Sequence, residues 1–148
     1  MNQAKERFEQ VKKAVARLHE VQMAIMNECD DWRPSSASSK HAISDPTANR
    51  AIRYVDEIEA RLATLRAEES ELTDFIGDTL VIIQAVRDGL GVKYGDVLEW
   101  RYIDCESWGY IRREYDVKKI TGYRQICIAF DWIDSLGVTR ILAGDYEI

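Results

Sequence analysis

Between Ser107 and Gln125 the chain carries Arg112, Arg113, Lys118, Lys119 and Arg124 against only Glu114 and Asp116, although its formal net charge is −6. Guanidinium and ammonium groups at this density suit phosphate. A planar guanidinium or carboxamide also reads base edges through paired hydrogen bonds. Arg124 and Gln125 are therefore the expected base readers, with Thr121 beside them, and Lys118, Lys119, Arg112 and Arg113 the expected phosphate contacts. The expected partner is double-stranded DNA. An acidic protein cannot coat nucleic acid by charge alone, so whatever affinity it has must come from this short segment.

Other chemistries find no set of residues to work with. His19 and His41 are the only histidines, one in a helical repeat and one in a Ser-rich stretch, so no Cys–His or Ser–His–Asp group is expected. Cys29, Cys105 and Cys127 are widely spaced, which predicts reduced thiols, buried or idle, and no zinc site. No phosphate-binding glycine loop occurs. Glu57, Glu59, Glu68, Glu69 and Glu71 read as a solvated helix face. The expectation is a non-enzyme without cofactor or metal.

The basic residues need a scaffold, and the local pattern supplies one. Ser107 is placed to cap a helix in which Trp108, Ile111 and Tyr115 share a face. Asp116-Val117-Lys118 leaves room only for a sharp turn. Ile120, Tyr123, Ile126/Cys127, Phe130 and Ile133 then define a second helix ending at Leu136-Gly137. Two helices joined by a short turn, the second opening in a basic run, form a helix-turn-helix pattern with Lys118, Lys119, Thr121, Arg124 and Gln125 opposite the apolar stripe. A further helix is expected from Tyr94 to Tyr102, with Trp100 through Ile103 in apolar contact.

Upstream the period lengthens to whole heptads. Phe8, Val11, Val15, Leu18, Gln22, Ile25, Cys29 and Trp32 form one seam, on a helix from about residue 3 to about residue 31. Arg33-Pro34 and the serines after it end that helix. Ser44-Asp45-Pro46 starts another, with a seam through Val55, Ile58, Leu62, Leu65, Glu69, Leu72, Ile76, Thr79, Ile83 and Val86 and a suspected break near Gly77-Asp78. The predicted class is all-α: residues 1–91 a long coiled-coil region with a flexible connection at 33–45, 92–140 the helix-turn-helix domain, and 141–148 a short tail. Apolar stripes on helices of this length predict a homodimer, with Gln22 and Glu69 setting register.

The charged opening MNQAKERFEQ lacks the apolar core of a signal peptide, and no stretch approaches the ~20 apolar residues of a membrane span. A cytoplasmic protein, without membrane contact, is expected.

The stretch Leu98-Glu99-Trp100-Arg101-Tyr102-Ile103-Asp104, followed by Ser107-Trp108, Ile111, Tyr123-Arg124 and Ala129-Phe130, resembles the ArpU-like family of phage and prophage late-gene transcription regulators. Ser44-Asp45-Pro46-Thr47 is similar to that family's opening of its central helix. The resemblance spans roughly residues 44–136 and is most specific at its end. It implies a recognition helix similar to sigma factor region four, and a sequence-specific DNA-binding regulator whose long helices mediate self-association or contact RNA polymerase. The chain departs from the family at Lys118, where a small Ser is usual, and at Gly122, where a buried aliphatic is usual. Gly inside a helix costs ~1 kcal/mol relative to Ala, so either the helix starts later or its first turn is loose. Two further readings stay open: a small terminase-like DNA-packaging subunit, and a protein-interaction module that binds no DNA.

Overall fold

The computed structural model describes residues 2–31 and 45–147, and every element among them is a helix. α1 spans Gln3–Asp31 and α2 spans Asp45–Gly89. α3, Val92–Leu98, passes directly into a π-helical turn, Glu99–Ile103. α4 is Trp108–Tyr115, α5 is Lys119–Leu136 and α6 is Val138–Leu142. The Ser44 cap, Trp32 and the connection up to Ser44 lie outside the described residues. α2 runs through Gly77-Asp78 as helix, so the suspected break does not occur. Among the described residues, no helix is long and apolar enough to cross a membrane.

The chain divides into two compact units: residues up to Ala16 together with those from Thr73 onward, and Arg17–Leu72 between them. In the first unit Ala4 and Phe8 of α1, Ile82, Ile83 and Val86 of α2, Val97 and Leu98 of α3, Ile126, Ala129, Phe130 and Ile133 of α5, and Ile141 of α6 share one core. Phe8 lies 5.4 Å, centroid to centroid, from both Tyr102 and Phe130. Asp134 Oδ1 accepts a hydrogen bond from the Ala4 amide at 2.8 Å, satisfying one of the free N–H groups at the start of α1. The helix end at Gly89 is therefore not a boundary of packing, because side chains on both sides of it fill one interior. Ile141, 1 % exposed, brings residues expected to be tail into that interior.

Arg87 of α2 fastens α3. It makes ion pairs with Asp96 at 3.0 Å and Glu99 at 2.6 Å. Burial works against its charge, but the hydrogen bonds to Glu99 and Asp96 outweigh that and raise its pKa. Gly95 permits the approach, since a Cβ there would collide with the Arg87 stem.

The second unit is an antiparallel hairpin of α1 and α2 within one chain. Arg17 pairs with Glu68 through Nε at 2.6 Å and Nη2 at 3.1 Å, and Arg61 lies 3.6 Å from Glu28. Val21 and Ile58 are buried in it, and Leu18, Ile25, Val55, Leu62 and Leu65 are half-buried. The first seam is buried at Phe8 and Val11 and half-buried at Val15, Leu18 and Ile25 as expected, but Gln22 and Cys29 are exposed, and Ala14 and Val21 are buried beside it. Gln22 therefore interrupts nothing. The second seam is at least half-buried at every expected position, Glu69 included.

Candidate nucleic-acid interface

α4 opens as its sequence requires. Ser107 Oγ accepts the Tyr110 amide at 3.1 Å, the side-chain cap of a helix start. The helix ends at Asp116, which takes left-handed dihedrals, φ 55° and ψ 39°, and donates its amide to the Arg112 carbonyl at 3.1 Å. Aspartate is among the few non-glycine residues that tolerate this region. After Val117, Lys118 is extended and α5 begins at Lys119, without a side-chain cap.

Gly122 holds the two helices together. The Trp108 ring lies against it so closely that a Cβ would fall inside the ring's van der Waals envelope. The Arg101 guanidinium covers the ring, 4.6 Å from its centroid, and donates to the Glu106 carbonyl at 2.7 Å. The expected alternatives of a later helix start or a loose first turn are both replaced by a notch that receives an indole. The aliphatic side chain usual at this position in the resembled family would have no room.

The buried line of α5 is Gly122, Ile126, Ala129, Phe130 and Ile133. Ile120 and Tyr123, expected on that stripe, are instead 60 % and 58 % exposed. Tyr115, expected on the inner face of α4, is also largely exposed and stacks on Trp100 with centroids 3.9 Å apart and planes 7° from parallel. The π turn explains how Trp100, Arg101, Tyr102 and Ile103 can all find contacts: its extra residue widens the turn, and Asp104 donates to the Glu99 carbonyl at 2.9 Å. Trp100 reaches Tyr115, Arg101 reaches Trp108, and Tyr102 reaches Phe8.

Of the anticipated contact residues, Arg112, Arg113, Lys118, Lys119, Thr121 and Arg124 are exposed and Gln125 is half-buried. They do not form one patch. Lys118, Thr121 and Gln125 line a cleft of about 580 Å³ with Lys93, Asp96 and the Trp100–Tyr115 stack. Helical spacing puts Ile120, Arg124 and Ile128 on a separate outward stripe, four residues apart. Lys119 and Tyr123 share a third. Tyr123 borders a cavity of about 400 Å³ with Lys5, Glu9 and Cys127. Lys93 escaped sequence reasoning because it lies outside the basic run. Ile128 was assigned to neither face, because it carries no charge and falls outside the apolar period of the helix. The i, i+4 relation of Ile120 to Arg124 was the signal available. All three cysteines are exposed free thiols, so none serves as a buried core residue.

No protein-family model, curated protein or solved structure matches the chain.

Proposed function

We propose that the chain is a sequence-specific DNA-binding transcription regulator, phage or prophage encoded, with α4 and α5 as a helix-turn-helix. The observation that carries this reading is the surface of α5. Over a fully packed inner line it presents Lys119, Thr121 and Arg124 to solvent, with Lys118 in the turn and Arg112 and Arg113 on the preceding helix. In a helix-turn-helix the second helix enters the major groove and the flanking cations hold phosphates. Arg124, on the outward stripe, takes the base-reading role, and the half-buried Gln125 takes a lesser one from the side of the cleft. The long helices α1 and α2 supply surface for a second copy or for RNA polymerase. Met23, Met26, Ile52 and Tyr54 remain exposed there for such a partner, although the hairpin already covers much of both seams.

Gel-shift titrations on a preferred and a scrambled duplex at two salt concentrations test the reading. Lys119→Glu weakens binding to both and lowers the salt slope by about one. Arg124→Ala costs about 1–3 kcal/mol on the preferred duplex and less on the scrambled one. Wild-type affinity in both variants removes α5 from the interface. Absence of DNA retention at low salt replaces the reading with a protein-interaction module, for which the exposed Ile120, Tyr123 and Ile128 are the relevant surface.

A further inference from the structure

α5 turns two isoleucines to solvent. Ile120 is 60 % exposed and Ile128 46 %, and each lies four residues from Arg124, on the stripe facing away from Gly122, Ile126 and Ala129. A β-branched side chain in open water adds nothing to an α-helix, whose formation it slightly disfavours. Neither side chain adds to the packed interior. Their neighbourhood selects the kind of partner. Arg124 lies between them on the stripe, and the exposed Lys118 and Lys119 flank Ile120 on faces of their own at the start of α5. Positive charge thus gathers at that end in an otherwise acidic protein, with Asp131 beyond Ile128. The complementary occupant is a polyanion that also offers small apolar groups. The major groove of duplex DNA is such a surface, and its protruding apolar group is the thymine 5-methyl.

We propose that Ile120 and Ile128 read thymine methyl groups on either side of the base pair faced by Arg124, an inference that rests on the DNA-binding reading above. Ile120 makes the stronger contact, because helices of this kind direct their N-terminal residues to base edges. Eight residues of helix rise span about 12 Å. At 3.4 Å per base pair the two methyls lie about three to four pairs apart when α5 follows the groove.

The test uses the full chain and duplexes it selects from a randomised pool, each remade with 2′-deoxyuridine in place of thymidine at single positions. Loss of a contacted methyl weakens the wild-type protein by about fourfold, the worth of one small apolar group taken out of water. Ile120→Ala then binds thymine and uracil duplexes equally at one position, and Ile128→Ala does so at another. Lys119→Glu weakens both duplexes alike and keeps their ratio. A selected sequence bound equally with thymine and uracil throughout overturns this inference and leaves the DNA reading standing. So does unchanged discrimination in both isoleucine variants. A pool that yields no enriched sequence overturns both. If Ile120→Ala lowers the light-scattering mass while discrimination is intact, the stripe belongs to a contact between copies and the inference falls.

Discussion

Replacing Gly122 by Ala sets two opposing effects against each other. Helix propensity favours Ala by about 1 kcal/mol, whereas a methyl group driven into the Trp108 ring costs about 1–3 kcal/mol of overpacking. Packing wins, so Gly122→Ala is expected to lower the urea midpoint of the unit that holds α5, the reverse of the usual Gly→Ala result. Asp116 makes a related claim through its backbone. At φ 55° a β-branched residue has no comfortable conformation, and Asp116→Val should destabilise by about 1–2 kcal/mol while Asp116→Gly is tolerated. Thermal melts of the two variants side by side check the sign. Neither residue's role was legible in the sequence. Gly122 reads as a defect until Trp108 is seen lying on it, and that contact depends on the angle between two helices, which local pattern does not set.

At the scale of elements, capping and periodicity carried much further. Ser107 was recognisable as a helix start because its hydroxyl serves a nearby amide, and Ser107→Ala should cost about 1 kcal/mol, measured by urea titration with Ser107→Asp as the tolerated control. The turn at Asp116-Val117-Lys118 and the end of α5 were legible for the same local reason. The seam of α1 was legible only to within one residue. A spacing that alternates between three and four fits Val21 as well as Gln22, and only the facing helix decides which is covered. The α5 stripe failed in a different way. Ile120 and Tyr123 are apolar and fit a helical period, yet both face water, because what surrounds a helix, and not the residue type, determines which stripe is inward. The π turn left no trace in periodicity, since its register shift is shorter than the window needed to measure a period.

For the whole molecule, the pairing of α1 with α2 inside one chain changes what self-association means. Much of both seams is already covered within the chain, so the proposed homodimer would have to use side chains that remain outside, such as Met23, Met26, Ile52 and Tyr54. Light scattering at micromolar concentration is expected to give twice 17.1 kDa, and Met26→Glu should shift that mass toward the monomer; a single-chain mass for the wild type would end the dimer reading. Phe8 tests the wider organisation. It sits at 0 % exposure among Tyr102 and Phe130, so Phe8→Ala should remove about 3–5 kcal/mol and loosen helices at the opposite end of the sequence, visible as lost near-ultraviolet dichroism.

The hydrogen bond from Ala4 to Asp134 joins residues 130 positions apart, and that separation has a consequence in time. Translation proceeds at roughly 5–20 residues per second, so the opening turns of the chain wait on the order of ten seconds before the helix that covers them exists. During that interval Ala4 and Phe8 have no partner from the C-terminal helices, and a nascent chain halted before α5 exposes them to any chaperone at the ribosome exit. Contacts this distant also slow folding of the released chain relative to a helical bundle of local pairs. Refolding from urea should accordingly show the α1–α2 hairpin regaining helicity first, with aromatic packing around Phe8 returning in a slower phase.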